Sequence, residues 1–231
     1  MDQEHQQLFT RLVAAREARI ERLSEARLYF VCEGRPGGGN VEPLLRAALR
    51  GGVDVVQLRE KAPRCAEELI ALAEPFRRAA DEHGALFFLN DHPELVQACR
   101  ADGVHVGQDD APVAAARAAA GPGSLVGLST HSPDQLDAAL DAEGEGRPDQ
   151  ISAGPVWETP TKKGRPAAGL GLIRHGAAHG RSAAWFAIGG IDLSNVGEVV
   201  AAGANRIVVV RAIRDAADPE SAARKLRARL G

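Results

Sequence analysis

Short apolar runs recur along this chain and alternate with longer segments in which apolar residues return every three or four positions. The eight runs are LYFV (28–31), VDVVQL (53–58), ALFFL (85–89), GVHV (103–106), SLVGL (124–128), QISA (150–153), AAWFAI (183–188) and RIVVV (206–210). The segments between them include EPLLRAALR (42–50) and PDQLDAALDA (133–142). Apolar runs of this length predict buried strands, and the intervening spacing predicts amphipathic helices.

The alternation of strand and helix indicates an α/β fold with parallel strands and right-handed crossovers. Eight such units are the number that a (β/α)₈ barrel requires, and this chain lies toward the small end of the usual size. We therefore predict a single (β/α)₈ TIM barrel. A doubly wound open sheet is the alternative. However, no run is followed by a clear Gly-x-Gly-x-x-Gly turn, and the loop RPGGGN (35–40) resembles one only weakly.

Residues 1–26 precede the first predicted strand and show helical spacing of Leu8, Leu12, Ile20 and Leu23. We divide the chain into this N-terminal helical extension (1–26) and a barrel catalytic domain (27–231). The extension is expected to be an extra helix that closes the bottom of the barrel or packs on a subunit partner.

Helix boundaries inside the barrel are predicted from residues that favour helix ends. The predicted starts are Asp91-His92-Pro93, Ser132-Pro133 and Ser194-Asn195, and the predicted ends are Gly51, Gly84 and Gly203.

Composition narrows the class of protein further. The 28 Lys and Arg residues nearly balance 31 Asp and Glu residues, so no overall field favours nucleic acid or a membrane surface as a partner. The three cysteines have no disulfide or zinc spacing, and no apolar segment approaches the length of about 18 residues that spans a membrane. We expect a soluble, cytoplasmic protein that binds any anionic ligand locally.

In a (β/α)₈ barrel the chemistry lies at the C-terminal ends of the strands, and polar residues follow seven of the eight runs. Asp91 and Asp110 follow neighbouring strands, whose backbones lie about 4.8 Å apart. Two such carboxylates indicate a Mg²⁺ site, because hard oxygen ligands favour this ion. The alternative is that both residues are helix N-caps, since each precedes a Pro by two residues. Asp109 is interpreted as a solvated neighbour.

Cations and glycines on the same rim indicate phosphate binding. Arg59 and Lys61 share parity with Gln57, so they face one side of an extended chain and can clamp a diphosphate; surface salt bridges are the alternative. Lys162 is a further candidate cation. Gly189 and Gly190 allow backbone N–H groups to approach a single phosphate, although they can also serve only a tight turn.

Six motifs in order along the chain resemble the thiamine-phosphate synthase family, also called thiamine-phosphate pyrophosphorylase. They are QLREK (57–61), ND (90–91), GVHVGQDD (103–110), GLSTH (127–131), GPVWETPTKKG (154–164) and AIGGI (187–191). The resemblance runs from about Leu28 to the C-terminus. It implies a transferase that joins 4-amino-5-hydroxymethyl-2-methylpyrimidine diphosphate to 4-methyl-5-(2-hydroxyethyl)thiazole phosphate and releases diphosphate and thiamine phosphate. It also implies a possible homodimer.

The resemblance further implies a role for each matching residue. The pyrimidine diphosphate would be held by Gln57, Arg59, Lys61 and Asn90. Mg²⁺ would be held by Asp91 and Asp110. Ser129 would face the pyrimidine and the departing diphosphate, which Lys162 would also contact. The thiazole phosphate would be received by Thr159, Thr161, Gly190 and the backbone around Val210 and Arg211. Arg211 departs from the Ser expected in many members, which puts thiazole phosphate affinity in question if the hydroxyl matters.

Two other functions remain open at this point. A related barrel family, the thiazole tautomerases, performs proton transfer on the thiazole phosphate without a metal, and His131 could serve it as a general base or could simply begin a helix. A non-catalytic sensor of phosphate ligands is the second alternative, because a barrel fold alone does not prove activity.

Overall fold

A computed structural model describes residues 3–159, 166–179 and 184–231 of the chain. Eight parallel strands form a closed barrel in sequence order, and the last strand pairs with the first. The strands are β1 (Leu28–Cys32), β2 (Val55–Leu58), β3 (Leu86–Asn90), β4 (Gly103–Val106), β5 (Leu125–Thr130), β6 (Gln150–Ala153), β7 (Ala184–Ile188) and β8 (Ile207–Val209). Each predicted apolar run overlaps one strand. The predicted barrel is confirmed, and closure excludes the open sheet.

Helices cover the outside of the barrel. They are α1 (Gln3–Glu25), α2 (Glu42–Arg50), α3 (Ala66–His83), α4 (Val113–Ala120), α5 (Pro133–Asp141), α6 (Gly169–Ala178), α7 (Val196–Ala201), α8 (Arg211–Arg214) and α9 (Pro219–Arg227). Two predicted boundaries show their physical cause. Ser132 accepts a hydrogen bond from the Gln135 backbone N–H and caps α5, and Gly84 ends α3 in the left-handed conformation.

The predicted helix start at Asp91-His92-Pro93 is wrong. Only a 3₁₀ turn, Pro93–Leu95, forms there, and further turns lead to β4. Residues 91–102 are the whole connection between β3 and β4, which leaves little length for a helix and two loops. Asp91 itself has a φ of 64° and so does not begin a helical turn.

The barrel interior and the layer beneath the helices form two separate apolar clusters. Tyr29 contacts two aromatic rings inside the barrel, with centroids 5.9 Å from Phe88 and 5.8 Å from Phe186. Leu23 and Ala26, at the end of α1 and just after it, belong to this interior cluster. The N-terminal helix therefore closes one end of the barrel.

Ion pairs fix the position of α1 at that end. Its Arg19 Nε lies 2.8 Å from Asp102 Oδ1, and its Arg16 bonds to Asp149. Asp102 and Asp149 directly precede β4 and β6, so α1 covers the N-terminal ends of the strands. The C-terminal ends are left open on the opposite side. Among the helices of the described residues, none is long and apolar enough to cross a membrane.

Candidate active site

A cavity of about 640 Å³ lies at the C-terminal ends of the strands. Its walls include residues that belong to or follow every one of the eight strands, from Val31 of β1 to Val209 of β8. The convergence of the strand ends on one rim is thus observed. A cavity of this size, with apolar walls and a few convergent polar groups, is typical of a small-molecule site.

The end of β2 supplies Gln57 and Arg59 to the cavity. Gln57 points into the barrel, where its Nε2 donates to the Tyr29 hydroxyl at 2.9 Å. The Arg59 backbone N–H bonds to Cys32 O at 2.9 Å, so the extended conformation continues past β2 as the parity argument requires. Lys61 is exposed and is not part of the cavity wall that the described residues form.

Asp91 and Asp110 come together at the ends of β3 and β4. The Asp91 backbone N–H bonds to His105 O at 3.0 Å, and Asp110 Oδ2 accepts from the Gly107 N–H at 2.7 Å. Neither residue is the N-cap of a helix, because α4 begins after Pro112 and the turn after β3 begins after His92. The N-cap alternative is therefore wrong.

The surroundings of Asp91 favour the protonated form of its carboxyl group. Asp91 is open to the cavity, yet enough protein surrounds it that partial loss of hydration raises the pKa of its carboxyl group. The charge of Asp110 and a hydrogen bond with it raise the pKa further, while Arg59 and Asn90 lower it. Oxygen ligands of this kind suit a hard cation, whose charge would relieve the repulsion between the two carboxylates. In the described part of the chain, no group of three or more His, Cys, Asp or Glu residues could hold a metal ion, so water and substrate oxygens would have to complete the sphere.

A buried polar layer forms the floor beneath the cavity. Ser129 of β5 contacts His105 Nε2 at 2.9 Å, and His105 Nδ1 contacts Gln150 Oε1 at 2.9 Å. Gln150 Nε2 in turn donates to Ser152 Oγ at 3.0 Å. Of these residues, the sequence predicts only Ser129. A signal was present in β4, because Val104 and Val106 face the helices and leave His105 facing the interior.

His131 follows β5 and also lines the cavity. Its Nδ1 lies 2.5 Å from Gly154 O, so this nitrogen donates to the carbonyl and fixes the orientation of the ring. The adjacent Ser132 begins α5. His131 therefore lies next to a helix start and also in the cavity wall, so its position fits both a structural role and a role as a general base.

The ends of β7 and β8 form the opposite wall with Gly190, Val210 and Arg211. Gly190 has a φ of 69°, and a Cβ atom there would lie 2.9 Å from Trp157 Cβ, so the site requires a glycine. Thr159 also lines the cavity. Thr161 and Lys162 lie outside the described residues.

Comparison with known proteins identifies the family. Residues 28–213 match the family model of thiamine monophosphate synthase. The chain belongs to the thiamine monophosphate synthase family. A thiamine-phosphate synthase of Thermus thermophilus is 54% identical over 207 residues, which cover 88% of this chain and 97% of that protein. One of Acidothermus cellulolyticus is 49% identical over 208 residues, which cover 90% of this chain and 96% of that protein.

Solved structures support the assignment of the chain to the thiamine monophosphate synthase family. The thiamine phosphate pyrophosphorylase of Pyrococcus furiosus superposes with a TM-score of 0.78 at 29% identity, covering 90% of this chain and 96% of that one. A 3-hexulose-6-phosphate synthase superposes with a TM-score of 0.61 at 20% identity, which shows the shared barrel fold alone. The predicted resemblance and the predicted alkyl-transferring enzyme of thiamine biosynthesis are confirmed.

Proposed function

We propose that this protein condenses 4-amino-5-hydroxymethyl-2-methylpyrimidine diphosphate with 4-methyl-5-(2-hydroxyethyl)thiazole phosphate to give thiamine phosphate and diphosphate. The observation that carries the proposal is the pairing of Asp91 with Asp110 beside Arg59 in one cavity. The relatives named thiamine-phosphate synthase support the same reaction.

Asp91 and Asp110 would hold Mg²⁺. Their mutual repulsion and the raised pKa of Asp91 fit a cation between them. When bound, the ion supplies positive charge that neutralises the diphosphate and polarises its bond to carbon. Because Asp91 and Asp110 would supply two protein ligands, substrate oxygens would act as further ligands.

The residues of β2 and β3 would bind the pyrimidine diphosphate. Arg59 suits a bidentate contact with phosphate, and Gln57 and Asn90 offer amide groups from the barrel interior. Lys61, Lys162 and Ser129 complete the set implied by the resemblance. Lys61 is placed on the loop after β2, outside the cavity wall, so its contact would require the side chain to reach in over the bound substrate.

The wall opposite would bind the thiazole phosphate. Gly190, Val210 and Arg211 offer backbone N–H groups, and Thr159 lies within the same cavity. Thr161 is assigned to this phosphate on the resemblance. The Arg211 side chain is exposed at the rim, which favours a contact through the backbone.

The reaction needs no nucleophile from the protein. The breaking bond joins a benzylic-type carbon to a diphosphate oxygen, and the aminopyrimidine stabilises the carbocation that forms. The protein's residues then hold the leaving group by charge, hold the thiazole nitrogen in line with the carbon, and exclude water from the cation. This is a dissociative displacement.

The test is an assay that contains both substrates and Mg²⁺, with a chelator as the control. We expect diphosphate release that requires both substrates and stops when the ion is removed. Isomerisation of thiazole phosphate without diphosphate release would assign the protein to the tautomerases instead. Ligand binding with no turnover under any condition would assign it to the sensors.

We also propose a cytoplasmic homodimer. The described cysteines Cys32, Cys65 and Cys99 are free thiols, as expected in a reducing compartment, and Val13 and Ile20 of α1 expose apolar side chains that a partner would cover. Sedimentation at micromolar concentration tests the assembly. A monomer there would contradict the dimer.

A further inference from the structure

We propose that His105 is a positioning residue. It accepts a hydrogen bond from the Ser129 hydroxyl, so that Ser129 presents only hydrogen-bond acceptor sites to the substrate. This inference rests on the proposed function and specifies how the pyrimidine is recognised. Its ligand is the exocyclic amino group of the aminopyrimidine, which is a hydrogen-bond donor.

The first support is burial of the whole hydrogen-bonded chain. Exposure is 5% for Ser129, 7% for His105, 0% for Gln150 and 2% for Ser152. Buried polar groups of this kind persist only when they are hydrogen-bonded, and charge is penalised there. The two ring nitrogens of His105 lie beside an amide oxygen and a hydroxyl, and burial favours the neutral ring over the imidazolium.

The direction of each hydrogen bond follows from Gln150. Its Nε2 donates to Ser152 Oγ, so its Oε1 faces His105. An amide oxygen only accepts, so the proton of His105 lies on Nδ1. Nε2 of the neutral ring is then an acceptor, and the Ser129 hydroxyl donates a hydrogen bond to it at 2.9 Å.

Gly127 gives independent support. A Cβ atom at this position would lie 2.5 Å from Gln150 Oε1 and 2.5 Å from His105 Nδ1. The backbone of Gly127 is not in the left-handed region, so a larger residue is excluded by space alone. The glycine therefore keeps open the volume in which Gln150 and His105 meet.

The consequence lies at the cavity. Gln108 Nε2 donates to Ser129 O at 2.7 Å and holds the end of β5 in place. Ser129 lines the cavity, and with its proton directed to His105 its Oγ can only accept a hydrogen bond from a further partner. An amino group fits this arrangement, whereas a pyrimidine with a carbonyl oxygen at the same place would meet an acceptor and be rejected. The same oxygen dipole would favour the carbocation.

The first test observes the proton directly and needs no substrate. In the ¹⁵N-histidine-labelled protein, long-range ¹H–¹⁵N spectra distinguish a protonated from an unprotonated ring nitrogen, and the His105 signals are those lost in His105→Gln. We expect Nδ1 protonated and Nε2 unprotonated. The opposite tautomer, or a doubly protonated ring, would make Ser129 the acceptor of that bond and overturn the proposal, whether or not the protein condenses the two substrates.

The second test is kinetic and uses Gly127→Ala with Gly171→Ala as its matched control. A Cβ at Gly171, in α6, meets nothing within 4 Å, so the same change there should leave kcat/KM unaltered. We expect Gly127→Ala and Ser129→Ala each to lower kcat/KM for the aminopyrimidine diphosphate about 10- to 100-fold. Discrimination against the 4-oxo analogue should fall equally in both.

The double variant decides whether the two residues act as a unit. If His105 acts through Ser129, Gly127→Ala combined with Ser129→Ala should cost no more than Ser129→Ala alone. Multiplicative losses would overturn the proposal. Circular dichroism and thermal melts report folding of each variant. Should Gly127→Ala fail to fold, the spectrum of the unmodified protein still decides the tautomer.

Discussion

The two ends of the barrel use aspartate in opposite ways. At the N-terminal end, Asp54, Asp102 and Asp149 each precede an even-numbered strand and accept the backbone N–H of Leu28, Phe87 or Val126 at the start of the strand before it. At the C-terminal end, Asp91 faces Asp110, and burial together with that second acid raises its pKa. Aspartates at the N-terminal end stabilise the fold, because arginines and backbone N–H groups neutralise them. Asp91 and Asp110 at the C-terminal end face each other, which leaves them suited to bind a cationic ligand.

Arginines complete the matched end. Arg77 Nη1 lies 2.9 Å from Asp102 Oδ2, and Arg19 bonds to its other oxygen. Arg117 and Arg16 pair with Asp149 in the same manner. Before β8 the position is taken by Arg206, which donates to Ser24 O in the last turn of α1 and to Ala26 O just after the helix. Two Arg–Asp ion pairs and the hydrogen bonds of Arg206 thereby join α1 to the strand ends.

The largest expected effect is on stability, from Asp102→Asn. Asparagine keeps an acceptor for the Phe87 N–H but leaves Arg77, which is 6% exposed, without its buried counterion. We expect a loss of about 3–5 kcal/mol in the free energy of unfolding. Chemical denaturation measures it, and kcat of the folded variant should be retained.

The matched control removes the other carboxylate of the same arginine. Asp81 Oδ1 lies 2.9 Å from Arg77 Nη2, but the Asp81 side chain is 53% exposed. Asp81→Asn should therefore cost at most about 1 kcal/mol. Equal losses in the two variants would show that burial of the carboxylate does not decide how much each ion pair of Arg77 contributes to stability.

The next effect is on activity, from Asp91→Asn. Asparagine adopts the positive φ of this position more readily than most residues, so the backbone is preserved. We expect kcat/KM to fall at least about 100-fold, equivalent to about 2.7 kcal/mol, because one charge of the cation site is lost. Stability should not fall, since the change removes a repulsion.

Asp134→Asn, on the exposed first turn of α5, controls for the loss of one negative charge. It should leave kcat/KM unchanged. Were Asp91→Asn to lose stability in parallel with activity, the pair would be structural and the contrast between the two ends would fail. Isothermal titration with Mg²⁺ and pyrimidine diphosphate supplies a readout independent of turnover.

A smaller effect is expected at Arg206, which precedes β8 as the three aspartates precede β2, β4 and β6. Burial lowers the pKa of its guanidinium group, but the residue is only half-buried. Arg206→Gln should cost about 1.5 kcal/mol, because two hydrogen bonds from a charged donor are lost. Hydrogen exchange of the last turn of α1 should become faster. Unchanged exchange there would mean that Leu23 and the ion pairs of Arg16 and Arg19 hold the helix without Arg206.

The sequence predicts the strands and the acids at the cavity, but it does not predict every contact beneath the cavity. All eight strands follow from apolar runs, because both faces of a barrel strand are buried. The proximity of Asp91 and Asp110 follows from the rule that the C-terminal ends of the strands meet on one rim. The partnership of His105 with Gln150 does not follow, because it depends on which residues the strand register sets opposite each other across Gly127.

The missing helix after β3 has a similar explanation. Helix start signals at Asp91-His92-Pro93 are local, whereas the length of chain left before β4 is a property of the whole barrel. Tertiary context overrides the local signal. For Thr161 and Lys162, which lie outside the described residues, the roles stay predictions from the resemblance.

The smallest expected effect is at Arg211, where the family pattern leads us to expect Ser. Its exposed side chain lies at the cavity rim near Asp215, whose pKa it helps to lower after the larger effect of Arg214. If the thiazole phosphate is held through the backbone here, Arg211→Ser should change its KM less than about 5-fold, as for an exposed charge. Arg229→Ser, exposed after α9, controls for net charge. A rise in KM above 10-fold in Arg211→Ser alone would show that the guanidinium group binds the phosphate. The C-terminal end of the barrel would then bind its ligand through a protein cation as well as through Asp91 and Asp110.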